Sequence, residues 1–250
     1  MSSIGSNLQE VKRRMASACT AAGRNAQILT RAPAAHGLLS GAEGPAPVAA
    51  LALLAVSKTF PAEAVREAHA AGQQAFGENY VQEALAKIEA LADLREQVQW
   101  HLIGPLQSNK TRAVAEAFDW VHSVDRLKVA QRLSEQRPAM LPPLQVCLQV
   151  NISSEASKSG FVPHEVLAAA HAVAALPRLQ LRGLMAIPEP AGDFDAQRQP
   201  HRALRELLEG LNTHGLELDT LSMGMSADLE AAVAEGASLV RVGTAIFGRR

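Results

Sequence analysis

LALLAVSK (51–58) runs six apolar residues straight into a serine and a lysine. Nothing in the run alternates, so neither face is written for water, which is the pattern of a strand buried on both sides in a parallel sheet. Pro61 follows, its ring pre-set for the first turn of a helix that reaches about Ala71, and Gly72 ends it. The same pairing then recurs down the chain. Strand-like runs are QAFGEN (74–79), VQWHLIG (98–104), WVHSVD (120–125), LQVCLQVNI (144–152), LRGLMAIP (181–188), TLSMGM (220–225) and LVRVGTAIFG (239–248). Helical stretches separate them, from Tyr80 towards Arg95, Ser108 to Ala117, Arg126 to Gln136, after Pro163, Asp195 to His214 and Ala227 to Glu235. Eight strand-like runs alternating with helices imply parallel strands joined by right-handed crossovers. In 250 residues they close into a (β/α)8 TIM barrel, whereas a flavodoxin-like sheet would leave strands to spare.

Upstream of that run, Leu8, Val11 and Met15 fall at helical spacing, and Gly23 closes the stretch. This N-terminal helix can take the outer place that a helix after the eighth strand would fill. NAQILTRAPAAHGLLSGAEGPAPVAA (25–50) loses the period and is rich in Ala, Gly and Pro, so it is expected to be a flexible loop insert on the side of the barrel away from the site. The whole chain, 1–250, reads as one domain.

Apolar residues make up 48% of the sequence but aromatics only 4%, which suits helices packed on a buried sheet better than an all-β sandwich. With 24 basic and 25 acidic residues there is no global field to attract nucleic acid or a membrane surface, so a small ligand is the default partner. Cys19 and Cys147 are far apart and form no CxxC pattern, which fits a reducing cytoplasm. The opening residues carry no apolar leader core, and no apolar stretch is long enough to span a bilayer. A monomer is expected.

In such barrels the chemistry sits at the C-terminal ends of the strands. Lys58 ends the first run. Its side chain starts beside the barrel interior, where desolvation would favour the neutral amine, a nucleophile for carbonyl groups. A phosphate site is expected in the loops after the seventh and eighth strands. There Gly224-Met225-Ser226 leads into a helix, with Ser226 as its N-cap, and Arg241, Gly243 and Thr244 lie on or after the last strand. A carbonyl-seeking lysine facing a phosphate cradle suits a ligand with an aldehyde and a phosphate. Pyridoxal 5′-phosphate and the substrates of Schiff-base aldolases both qualify on these grounds.

AVSKTFP (55–61), FGENYVQE (76–83), WHLIGPLQSNK (100–110), VNISSEASKSGF (150–161), RGLMAIP (182–188), LSMGMSADLEAAVAEG (221–236) and VRVGTAIFG (240–248) together resemble the pyridoxal phosphate homeostasis protein family, which is related to the N-terminal barrel of alanine racemase. The resemblance implies a fold-type III cofactor barrel holding pyridoxal 5′-phosphate as a Schiff base on Lys58. It places phosphate contacts at Ser226, Gly243 and Thr244, with Asn79 and Met223 as cofactor neighbours and Arg241 near the pyridine nitrogen or the phosphate. It implies a role in vitamin B6 homeostasis, buffering the cofactor or delivering it to apo-enzymes; the alternative is an amino-acid racemase. The only tyrosine, Tyr80, follows GEN and begins a helix, so a racemase-type tyrosine acid from a second domain is not expected.

His101 in WHLIG reads as a hydrogen-bonded core histidine rather than a cofactor contact. No HxH, HExxH or carboxylate cluster suggests a metal. Lys110 in QSNK and Lys158 in EASKSGF are expected at the rim of the cofactor site, as a solvated positive edge or as holders of a second pyridoxal phosphate during transfer.

Overall fold

The computed structural model describes residues 3–33, 49–153 and 158–249. Among them α1 (Ile4–Ala21) comes first, and Ser3 caps it by accepting the Ser6 N–H at 3.2 Å. Gly23 ends it in the left-handed region, φ +66°. Its buried face is Leu8, Val11, Met15, Ala18 and Cys19, each worth up to about 2 kcal/mol when wholly buried.

Then come β1 (Ala26–Leu29), β2 (Ala49–Val56), α2 (Ala62–Ala70), β3 (Ala75–Glu78), α3 (Val81–Ala90), β4 (Gln99–Leu102), α4 (Thr111–Ala117), β5 (Trp120–Val124) and α5 (Leu127–Gln136). The chain goes on through β6 (Leu144–Gln149), α6 (Val166–Ala174), β7 (Leu179–Met185), α7 (Phe194–Thr213), β8 (Thr220–Ser222), α8 (Leu229–Ala234), β9 (Leu239–Val242) and α9 (Thr244–Phe247). Every neighbouring pair is parallel, and β9 returns to β2 through Ala52↔Leu239 and Ala55↔Val242, so β2 to β9 form the closed eight-stranded barrel that the alternation predicts. As expected, α1 fills the outer ring between α2 and α8, with α9 beside it.

Strand parity sorts the core into two layers. Leu51, Leu53 and Ala55 face the helices, while Ala52, Leu54, Trp120, Cys147, Met185 and Leu239 fill the lumen. Gly183 in β7 is required by that wall, because a Cβ there would lie 1.8 Å from the Thr220 carbonyl oxygen of β8.

Residues 25–50 are not simply a loop. Residues 26–29 form β1, parallel to the first half of β2 with Ala26 opposite Ala49. Thr30 O then accepts from Gln74 and Ala75 N–H at 3.0 and 2.9 Å, so β1 extends the wall below β3. The buried Gln73 amide seals the joint by donating to Leu53 O and Ala75 O at 2.8 and 2.9 Å. Four residues of unremarkable β propensity carry no sequence signal, since their pairing partner supplies the stability. The segment 34–48 lies outside the described residues. The described part of the insert does lie at the N-terminal ends of the strands, where Arg182 donates to Pro33 O at 3.0 Å and pairs with Asp219 at 2.6 Å. Among the described residues, a cavity of only about 10 Å³ lies beside Pro33 and Trp120 at that end.

Candidate cofactor site

The opposite end is open. Lys58 follows β2 directly and shares a cleft of about 310 Å³ with Val56, Thr59, Phe60, Gly243, Thr244 and Arg249. Three of the residues singled out in the sequence thus meet in one place. Among the described residues the charged lining groups are both cations, the hydroxyls are those of Thr59 and Thr244, and no carboxylate lines the cleft. That donor set fits an anionic tail beside a primary amine. One expectation is corrected: Lys58 is exposed, so the protein alone does not dry its amine. β2 ends at Val56, two residues before Lys58, so the lysine lies in the loop beyond the wall. At Gly243 a Cβ would sit 3.1 Å from Val56 O, so glycine eases the close approach of the two backbones.

The GMS loop differs from its expected form. α8 starts at Leu229, with Asp228 rather than Ser226 in the capping position, and Asp228 Oδ1 reaches back to accept Met225 N–H at 2.7 Å. Ser226 sits in the preceding turn. Its carbonyl accepts from Arg14 of α1 at 2.9 Å, and Arg14 is fixed in turn by Glu230 at 2.6 Å. Met223 is wholly buried in the helix-facing layer. Neither residue lines the Lys58 cleft.

Asn79 lines a second cleft of about 310 Å³, with Gly104, Gln149, Asn151, Lys158 and Ile187. Its Oδ1 is buried without a hydrogen-bond partner, a polar atom left for a ligand. Lys158 edges this cleft and lies 3.6 Å from Glu189; Lys110 ends a short 3-10 turn and lines neither cleft.

Arg241 lies in the lumen beneath the mouth, 4% exposed. Its guanidinium donates to Ser222 O, Ser222 Oγ and Ala186 O at 2.6, 2.8 and 2.8 Å. No carboxylate pairs with it among the described residues, and burial pulls its pKa down to about 10. An uncompensated buried cation suits a site that receives an anion or a ring nitrogen.

A chain of neutral groups continues from Arg241. Ser222 Oγ meets His122 Nδ1 at 2.7 Å, His122 Nε2 meets His101 Nδ1 at 2.9 Å, and His101 Nε2 meets Gln99 Oε1 at 3.1 Å. Gln99 Oε1 also accepts the Ala32 N–H at 3.0 Å, which fixes the amide orientation. His101 must therefore donate to Gln99, His122 to His101, and Ser222 to His122, all in one direction. Burial first, then the charge of Arg241, holds the His122 pKa down to about 3; burial and His122 hold His101 well below the ordinary histidine value. His101 is a satisfied core residue, stacked on Trp120 at 5.3 Å, as its sequence context suggests. His122 escapes a reading of strand ends because it lies inside β5, and Ser222 because β8 ends at it, one residue before the Met223–Ser226 stretch read as that strand's end; strand parity in WVHSV is the signal that marks His122 as inward. No group of three or more His, Cys, Asp or Glu able to hold a metal occurs among the described residues.

A closed parallel barrel with a lysine at the end of its first barrel strand, facing the loop after the last, defines the barrel class of alanine racemase. The family model for the alanine racemase N-terminal domain matches residues 47–250. An alanine racemase from Corynebacterium glutamicum superposes with a TM-score of 0.63 at 20% identity, over 80% of this chain and 56% of that one, and shares the fold. The chain belongs to the pyridoxal phosphate homeostasis protein family. It is 60% identical to the member from Pseudomonas aeruginosa over 250 residues, covering all of this chain and 97% of the relative. It is 49% identical to the member from Escherichia coli, over 100% and 98% of the two chains. The structure of PipY from Synechococcus elongatus with PLP bound matches with a TM-score of 0.73 at 42% identity, over 79% of this chain and 92% of that one. Among the described residues no helix is long and apolar enough to cross a membrane.

Proposed function

We propose that the chain holds pyridoxal 5′-phosphate covalently on Lys58 and serves vitamin B6 homeostasis in the cytoplasm, keeping the aldehyde sequestered and releasing it to apo-enzymes. The observation that carries the reading is the single cleft shared by Lys58, Gly243 and Thr244, lined by cations and hydroxyls without a carboxylate. When bound, the cofactor supplies an aldehyde, which a primary amine captures with loss of water. Lys58 would be the amine; the Gly243–Thr244 backbone and the Thr244 hydroxyl would hold the phosphate, Ser226 would help only from the neighbouring loop outside that cleft, and Asn79 and Arg241 would address the ring. The exposure of Lys58 suits a ligand that must leave again. Both cysteines are free and buried, in keeping with a reducing compartment.

Racemisation is the competing reading. Tyr80, the sole tyrosine, is 55% exposed at the start of α3 and lines neither cleft, so a tyrosine acid is not at hand among the described residues. Purified protein incubated with pyridoxal phosphate and reduced with borohydride is expected to carry a pyridoxyl group on Lys58, and Lys58→Ala to carry none. A label on another lysine refutes the assignment. Amino-acid turnover at ordinary enzyme rates, about 1 per second or faster, would favour the racemase, and none is expected.

A further inference from the structure

Lys87 of α3 is buried beneath the Lys58 turn, with its side chain 6% exposed. Its ammonium spends all three N–H donors, on Ser57 O, Glu78 Oε1 and Glu83 Oε1, each at 2.7 Å. Glu78 Oε1 also accepts the Ser57 hydroxyl at 2.6 Å, and Glu83 Oε1 accepts the Thr59 N–H. Ser57 is held further by its own N–H to Gly77 O and by its carbonyl, which accepts Phe60 N–H, both at 3.0 Å. The residues on either side of Lys58 are therefore tied to one ion cluster. Thr59 adopts φ +72°, a left-handed conformation that a β-branched residue takes only under restraint.

We infer that the Lys87–Glu78–Glu83 cluster is the positioning device for Lys58, locking the Ser57–Lys58–Thr59 turn in a strained form that aims the amine into the Gly243–Thr244 cleft. The inference rests on Lys58 being the amine that takes up the cofactor. A cluster serving only packing would leave the turn unstrained and would need no bond to Thr59 N–H. Burial keeps the Glu78 carboxyl above the usual range in spite of Lys87 and Ser57, so the cluster is built against a desolvation cost. That cost placed beside a strained turn is the mark of a positioned site rather than of a stabilising one.

Removing Lys87 would strand Glu78 in the interior and endanger the fold, so the test is made at Glu83, whose side chain is 30% exposed. Glu83→Ala removes the acceptor for Thr59 N–H; Glu83→Gln keeps an oxygen there. The rate of pyridoxal phosphate uptake is followed by absorbance on ligand-free full-length protein. Amide exchange at Lys58 and Thr59, and the thermal midpoint, are measured on the same ligand-free samples. Uptake about tenfold slower is expected for Glu83→Ala, equivalent to about 1.4 kcal/mol of lost preorganisation, with faster exchange at both amides. Glu83→Gln is expected to stay near wild type in both. If wild type takes its label on Lys58 while folded Glu83→Ala loads as fast as wild type, the inference is overturned and the ligand assignment stands. Glu83→Gln as slow as Glu83→Ala overturns it too, since the acceptor and not the charge grips Thr59. If the wild-type label misses Lys58, the ligand assignment falls first and the inference falls with it.

Discussion

The histidine chain inside the barrel should make the fold acid-sensitive well above the carboxylate range. His122 has an ordinary value of 6.5 and is held near 3 in the fold. A base whose folded pKa is depressed contributes stability that is complete above its unfolded value and is lost as pH falls towards the folded one. The window for His122 is therefore about pH 6.5 down to 3. Between pH 7 and 5 the unfolded imidazole takes up its proton and the folded one does not, which removes about 2 kcal/mol per histidine. His101, lowered for the same first cause, acts in the same direction and deepens the loss. Asp228, Glu230 and Glu235, whose carboxyls lie below their ordinary values, act lower in pH and leave this window clear. Glu78, raised by burial, works the other way, since acid favours its folded form. Urea unfolding of wild type and His122→Gln at half-unit pH steps separates these contributions, because Glu78 is common to both proteins. The variant should be less stable at pH 7 yet lose less between pH 7 and 5. Equal slopes in the two proteins, or a flat wild-type profile, would refute a neutral buried chain.

Two further outcomes are expected. Gly183→Ala would drive a methyl group into the Thr220 carbonyl, 1.8 Å from the new Cβ, and should cost at least about 4 kcal/mol, read as loss of soluble protein or collapse of the urea midpoint. Replacing Lys110 and Lys158 together by alanine should slow transfer of cofactor to an apo-enzyme while borohydride still labels Lys58; unchanged transfer kinetics would remove both lysines from the delivery route.

The barrel is legible because its strands are covered on both faces and so read as unbroken apolar runs, LALLAV and LQVCLQV among them. Lys58, Gly243 and Thr244 are legible for the same reason: ends of runs mark the mouth. What escapes the sequence is whatever depends on a partner far along the chain. β1 exists through its pairing with β2 and the Thr30 carbonyl, not through the propensity of AQIL. Ser226 looks like a cap because serine favours that role, yet Asp228, two residues on, starts the helix. Lys87 sits four residues after Glu83 on α3, a spacing that puts both on one helix face. Only the fold lays that face under the Lys58 turn.

Arg241 and His122 are joined through Ser222, and that sets how they depend on each other. Arg241 is held by carbonyl and hydroxyl oxygens alone, so its charge reaches His122 across Ser222 and helps to keep the imidazole neutral. The larger cause, burial, remains when the charge is removed. Arg241→Gln in the ligand-free protein should therefore raise the His122 pKa without restoring it to 6.5. The sign follows from linkage: a smaller gap between folded and unfolded values means less stability lost on acidification. Relative to wild type, the variant should lose less between pH 5 and 3, where the folded imidazole begins to take up its proton, even where dropping the bond to Ala186 O weakens it at neutral pH. Histidine NMR titration of His122 in the two proteins reads the same coupling directly. If that titration and the pH slope are both unmoved, the charge of Arg241 does not reach the chain, and the neutrality of His122 is the work of burial alone.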